Sequence, residues 1–427
     1  MNEQRVVISN VFGDSNRGGT AITSVAITLI EARLPEADIS LIPILSSDDD
    51  DVAVTHRHVA TLHPSVEITE PLVRERHGRT GRIRMAVDSV LILAGVAGRK
   101  SPTVARIRSA QLVVGKGGQV FRMRRGAGPL FGFWMDVLPL LLARRMRVPA
   151  ALFSVTVGPY EEGSVAARLA SFVLTRLQLV VVRDDRSADA ARALGVRPER
   201  VRIAADSVFA IRAPTRAERE HAAKRATPGC RYGVVTVLPW KEFDDVATVV
   251  IDAVKEILDQ GHVDEIFVVM QTTEDREASK QFIATANDDR FRLVLDDLTP
   301  AELAALYAHA RFVVAGRMHS AILALVAGTP AHPIRPKGLD KANEILGLIG
   351  LADLVCGIDA AARPLAISKT HLRDLLRRDC MDERAVRHRV LAATERAREQ
   401  VEDVADELAS LCDRELVASG GAWVRGR

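Results

Sequence analysis

Short apolar runs followed by stretches of helical periodicity alternate along most of the chain. Residues 6–9 precede a helical pattern over 20–33, residues 112–114 precede one over 129–145, residues 151–157 precede 165–176, and residues 179–182 precede 187–194. This is the pattern of βα units, whose parallel strands are covered on both faces and so read as continuous apolar runs. A first α/β domain ends near Asp206, and residues 214–231 form a charged, proline-bounded connection. The alternation then restarts with strands over 232–238 and 265–270 and a helix over 246–260. Helical residues 274–286, a short strand over 291–295 and a helix over 300–308 follow, the last capped by Thr299 and opened by Pro300. A strand over 311–315 and its helix complete the second core. The predicted fold is therefore α/β with two parallel-sheet domains, an N-terminal one over 1–213 and a C-terminal one over 228–368. From 369 to 427 the pattern predicts a helical extension, in which Leu372, Leu375, Leu376, Val386, Val390, Val401, Val404 and Leu408 fall largely on one side and pack across the domains.

Composition narrows the function classes. The 427 residues are 48% hydrophobic and 26% charged with a net charge of +3, which excludes a disordered chain and a general nucleic-acid binder. Four isolated cysteines, Cys230, Cys356, Cys380 and Cys412, lack metal-ligand spacing and are expected to be buried thiols. The alternation His56-x-His58 has no convincing carboxylate or cysteine partner, so no metal is expected. The N-terminus runs directly into an apolar strand without a signal core, so the protein is expected in the cytoplasm. The excess of arginine over lysine, 49 to 9, fits a GC-rich bacterial genome.

Charge is unevenly distributed. Residues 74–147 carry 16 Lys and Arg against three acids, and hold the apolar runs 90–94 and 129–142, the second with Phe131, Phe133 and Trp134. Neither run is long enough to span a bilayer. Core helices with solvated basic faces, together with an anion-binding active site, are the first expectation for this segment, and peripheral contact with an anionic membrane or a lipid-linked acceptor is the second.

Three strand ends carry chemistry. The first leads into Asn10-Val11-Phe12-Gly13-Asp14-Ser15-Asn16-Arg17-Gly18-Gly19-Thr20 ahead of a helix, where glycines allow close approach and helix N–H groups favour an anion. The second leads into Gly115-Lys116-Gly117-Gly118-Gln119. In the third, Phe312-Val313-Val314-Ala315 ends in Gly316-Arg317-Met318-His319-Ser320, with Lys341 beyond. There a planar cation fit to clamp a carboxylate or phosphate stands two residues from an imidazole, the group suited to proton transfer near neutrality. Ligands of open α/β sheets collect beyond such carboxyl ends.

Together these residues resemble the polysaccharide pyruvyl transferase family over roughly residues 6–351. The resemblance rests on Asn10-x-x-Gly13-Asp14 with Gly18, the Gly115–Gly118 turn, Arg183-Asp184 with Ser187 and Leu194-Gly195, Asp206, and Arg317-x-His319 with Pro330, Lys341 and Leu346-Gly347-Leu348. It implies a GT-B-like pair of domains facing a cleft, the acceptor on the N-terminal side and the donor on the C-terminal side. The implied reaction moves pyruvate from phosphoenolpyruvate, a donor substrate rather than a cofactor, to hydroxyls of a saccharide or lipid-linked saccharide with loss of phosphate. In that scheme His319 is the general acid and Arg317 holds the donor. Arg183 and Lys341 add positive charge, and Asp14 orients or deprotonates an acceptor hydroxyl or else caps the helix that starts near Gly18. Ser320, Gly13, Gly18, Gly117 and Gly118 complete the expected binding set. Family members often place a tyrosine before the donor lysine, whereas this chain has Arg335-Pro336-Lys337, so Lys337 and Lys341 are both candidates. A salt bridge to Asp184, Asp185 or a helix is the other reading of Arg183, and loop organisation the other reading of Asp206. Two further functions stay open: a GT-B-like glycosyltransferase using a nucleotide sugar, and a non-catalytic relative that binds a glycan or a membrane partner.

Overall fold

A computed structural model describes residues 4–44, 52–122, 126–237, 241–336, 341–358 and 368–418. The chain divides into two compact units, Met1–Asp14 with Ile22–Ser207 and Gln400–Arg427 in the first, and Ser15–Ala21 with Val208–Glu399 in the second. Each is built on one parallel sheet.

In the first unit the strands are β1 (Arg5–Val11), β2 (Asp38–Pro43), β3 (Glu67–Ile68), β4 (Leu112–Phe121), β5 (Ala150–Val157), β6 (Leu179–Val182) and β7 (Val201–Ile203), in spatial order β3-β2-β1-β4-β5-β6-β7. The second unit holds β8 (Tyr232–Thr236), β9 (Glu265–Val269), β10 (Phe291–Val294), β11 (Val313–Ala315), β12 (Ala331–Pro336) and β13 (Cys356–Ile358), in order β10-β9-β8-β11-β12-β13. Both sheets follow the doubly wound order in which the chain reverses direction beside the first strand. Their switch points lie between β1 and β4 and between β8 and β11. Apolar residues fill both faces: Val113, Leu138, Leu142, Leu152 and Val180 are buried in the first core, and Val235, Val250, Val254, Ile266 and Val314 in the second.

One detail departs from the sequence expectations. The Gly115–Gly118 stretch is not a turn after a strand, because β4 continues unbroken to Phe121. A Cβ at Gly115 would meet the side chain of Leu152 at 2.6 Å, and one at Gly117 would meet the Phe153 carbonyl oxygen at 2.7 Å, so these glycines let β4 lie close against β5. The C-terminal pattern is two helices, Lys369–Met381 and Glu383–Ala418, separated at Asp382.

Candidate active site

In the second unit, β11 and β8 are tied at their carboxyl ends: the Gly316 N–H donates to the Thr236 carbonyl at 2.8 Å and to its hydroxyl at 3.1 Å. Arg317 follows as the N-cap of the helix Met318–Val326, in extended backbone geometry and without a side-chain cap. Its guanidinium turns to Asp275 instead. Nε and Nη2 donate to Asp275 Oδ1 at 3.2 and 2.5 Å, and Nη2 also donates to the Thr272 hydroxyl at 3.1 Å. Asp275 is fully buried, and its Oδ2 accepts from the backbone N–H groups of Thr272 and Gln271 at 3.0 and 3.3 Å. A charge-assisted pair thus fixes the orientation of the fork. Among the described residues Nη1 makes no hydrogen bond.

His319 lies in the first turn of that helix and is half-buried. Its ring occupies the space beside Gly18: a Cβ at position 18 would stand 2.7 Å from the imidazole Cγ and 2.9 Å from the His319 Cβ. Gly18 belongs to the opening turn of the helix Arg17–Arg33. Within the second unit that turn is held by an antiparallel bridge from Asn16 to Thr272 and by the Arg17 N–H donating to the Gln271 carbonyl at 3.3 Å. The Arg17 guanidinium donates to the Leu298 carbonyl at 3.2 Å and pairs with Asp297. Two helix amino termini therefore meet at one point, flanked by Arg317 and His319. Their aligned N–H dipoles make such a point a site for an anion.

Ser320, expected as a ligand contact, is instead fully buried and donates to Gln271 Oε1, which places it beneath the site. Lys341 opens the helix Lys341–Leu348 and is half-buried. Lys337 lies outside the described residues.

A second cluster stands at the β1/β4 switch point of the first unit. Asp14 is 6% exposed, accepts from the His58 N–H at 2.6 Å, and donates its own N–H to the Thr55 carbonyl at 2.7 Å. It therefore serves the first turn of the helix Arg57–Leu62. Lys116 on β4 is fully buried, donates to the Thr23 hydroxyl at 3.0 Å and sits 4.9 Å from the centre of the Phe12 ring. Burial pushes its ammonium down to about 7, against an opposing pull from Asp14. Asn10 adopts a left-handed backbone and donates to the Asp136 carbonyl at 2.7 Å. Burial raises the Asp136 carboxyl to about 7.

The remaining candidates are packed into this unit's framework. Arg183 is 3% exposed, donating through Nε to the Thr156 hydroxyl at 3.0 Å and pairing with the fully buried Asp206. That partnership occupies it, so a salt bridge describes it, to Asp206 rather than to Asp184 or Asp185, and its expected contact with a ligand does not. Gly13 sits under the Thr55 carbonyl, 3.3 Å from where its Cβ would be. Gly117 faces the β5 backbone rather than a ligand, and Gly118 has a positive φ of 122° with open space around it. No group of three or more His, Cys, Asp or Glu among the described residues is placed to hold a metal ion.

Sequence reading passed over Asp275, Arg17 and Lys116. A signal existed for the first, since Thr272-x-x-Asp275 has the spacing of a capping box and forms one. None existed for the other two, whose burial comes from tertiary packing.

The chain is 22% identical over 248 residues to the amylovoran biosynthesis protein AmsJ of Erwinia amylovora, a match covering 54% of this chain and 58% of that protein, and thus little more than half its length. Among solved structures, the UDP-GlcNAc 2-epimerase of Neisseria meningitidis superposes with a TM-score of 0.60 at 8% identity, covering 97% of this chain and 100% of the other. The Anabaena protein Alr3699/HepE, solved with UDP-glucose, gives a TM-score of 0.59 at 13% identity over 98% and 100% of the two chains. At such identities the likeness concerns the fold, and that fold is a GT-B-like pair of Rossmann-like domains. The model of the polysaccharide pyruvyl transferase family matches residues 16–338, from the turn that carries Gly18 to beyond Arg317 and His319, and the chain belongs to that family.

Proposed function

We propose that this transferase moves the pyruvyl group of phosphoenolpyruvate onto a saccharide and releases phosphate. The observation that carries the reading is the meeting of two helix amino termini at Gly18 and His319 beside the oriented Arg317 fork. Phosphoenolpyruvate carries a carboxylate and a phosphate on one small carbon frame, and a point with helix dipoles and a guanidinium suits such a dianion. Protonation of its terminal methylene carbon by His319 turns C3 into a methyl group and makes C2 electrophilic. A saccharide hydroxyl then adds at C2, losing its proton, and the C2–O bond to phosphate breaks with the electron pair leaving on phosphate. Addition of a second hydroxyl of the same sugar in place of that phosphate closes a cyclic ketal. Arg317 stabilises the charge on the departing group. The acceptor is a saccharide, free or lipid-linked, in keeping with the name of the related amylovoran protein.

The test is a thermal-shift titration with phosphoenolpyruvate, using inorganic phosphate and a panel of nucleotide sugars as controls. A rise in Tm specific to phosphoenolpyruvate and lost in Arg317→Ala supports the reading. A response to a nucleotide sugar alone would move the enzyme to glycosyl transfer.

A further inference from the structure

The helix Gly78–Ala94 carries apolar residues on two sides. One side is used: Met85 and Ser89 are buried, and the Ser89 hydroxyl accepts from Trp134 Nε1 at 2.8 Å, which fixes the helix against Ala127–Met146. The other side faces outward. Ile83 is 57% exposed, Val87 50%, Val90 54% and Leu91 36%, and Val96 just beyond the helix is 72% exposed. Spacing of three and four residues puts positions 83, 87, 90 and 94 in a single stripe. Most exposed large apolar residues elsewhere stand singly, as such residues usually do; here five fall within fourteen positions, and that continuity calls for a partner.

The charges beside the stripe identify the partner. Arg82 and Arg84 leave the helix about 100° to either side of Ile83 at 100° per residue, and Arg79, Arg99 and Lys100 stand at its two ends, all exposed. The one acid between 78 and 100 is Asp88, which is engaged by Arg76 at 3.8 Å. From the neighbouring helix, Arg145 donates to the Ala94 carbonyl at 2.8 Å and adds another cation at that end. We infer that this helix lies on the surface of an anionic bilayer, its apolar stripe at the level of the acyl boundary and its arginines among the lipid headgroups. Arginine stems cover apolar surface while the guanidinium stays in the polar layer, which is the geometry a stripe with arginines on both flanks supplies. A second copy of the chain fits less well. Isologous pairing would bring this arginine-rich, acid-poor face against itself. No described helix is long and apolar enough to cross the membrane, so the contact is peripheral. The inference rests on this face alone, and donor chemistry at His319 can fail without affecting it.

Flotation of the full chain with vesicles tests it. Vesicles of phosphatidylcholine containing about 30% phosphatidylglycerol should carry the protein upward, pure phosphatidylcholine vesicles much less, and salt should weaken the binding. Arg82→Glu/Arg84→Glu should lower vesicle affinity at least 25-fold, at about fivefold for each basic residue lost. Val87→Asp/Val90→Asp should abolish binding with the thermal unfolding curve unchanged, because both side chains are exposed. Equal flotation of wild type and both variants, or none by wild type, would overturn the inference. So would a wild-type dimer in light scattering that Val87→Asp/Val90→Asp converts to monomer while wild type ignores anionic vesicles.

Discussion

The imidazole of His319 fills the space that a side chain at position 18 would need. A Cβ built on Gly18 falls 2.7 Å from Cγ of the ring, closer than side-chain carbons approach one another. Glycine at this place in the opening turn of the helix Arg17–Arg33 allows the histidine to stand against the helix backbone. Gly18→Ala should leave the protein folded and displace the ring, lowering transfer about 100-fold, the effect of a misplacement of about 1 Å at a reacting centre. Combined with His319→Ala it should add nothing further. A double variant slower than His319→Ala alone would show that Gly18 acts through something other than the ring.

Arg317 and Asp275 form the pair that holds the cation in place, and the two partners should respond differently to mutation. Arg317→Ala strands a fully buried carboxylate and should destabilise the second unit by about 3–5 kcal/mol. Arg317→Ala/Asp275→Asn removes that strain, so its Tm should recover, but phosphoenolpyruvate should still give no thermal shift. Recovery of both would mean that Arg317 matters for packing alone. Arg317→Lys keeps the charge without the planar fork and should weaken donor binding about tenfold in a titration.

Arg387 anchors the helix Glu383–Ala418 to the second unit. Nη1 donates to the carbonyls of Ala308 and Gly328 and to the Thr329 hydroxyl at 3.2, 3.3 and 3.1 Å, Nη2 donates to the Ala310 carbonyl at 2.6 Å, and Nε donates to Glu383 at 3.0 Å. Arg387→Met leaves several partly buried carbonyls without a donor and should cost on the order of 2–4 kcal/mol. The expected result is a lower midpoint in thermal unfolding with kcat unchanged well below it. A fall in kcat at low temperature would give Arg387 a part in the reaction.

Much of this could be read along the chain because buried parallel strands announce themselves as apolar runs. Val234, Val235, Val313 and Val314 are fully buried and were legible in that way. The short edge strand β3 and the polar Ser40 within β2 dilute the signal, and neither strand was anticipated. Glycine misled at Gly115–Gly118, where close strand packing and a turn leave the same trace in sequence. At the site, Arg317 and His319 stood out because chemistry and position coincide in one short motif. The role of Ser15–Ala21 in the second unit could not be read, since it depends on Asn16 pairing with Thr272, about 250 residues later. Arg183 and Ser320 looked like ligand contacts because polar residues at strand ends so often are; their partners Asp206 and Gln271 come from elsewhere in the fold.

Lys116 and Asp136 make the first unit's stability depend on pH in opposite directions. Burial pushes the lysine from its ordinary 10.5 down to about 7, so between those values the unfolded chain binds more protons than the folded one. Stability therefore rises with pH from about 7 toward 10.5. Asp136 is raised from 3.8 to about 7, so over that interval the folded chain binds more protons and stability falls as pH rises. The two contributions meet in a shallow minimum near neutrality. Thermal unfolding between pH 5 and pH 9 should show a Tm that falls and then recovers. Asp136→Asn should remove the falling limb below pH 7, and Lys116→Met the rising limb above it. Lys116→Met also takes away the cation that offsets Asp14, so its Tm at neutral pH should respond to Asp14→Asn less unfavourably than wild type does. A wild-type Tm that is flat across this range would mean that water reaches both groups and that neither is held away from its ordinary titration.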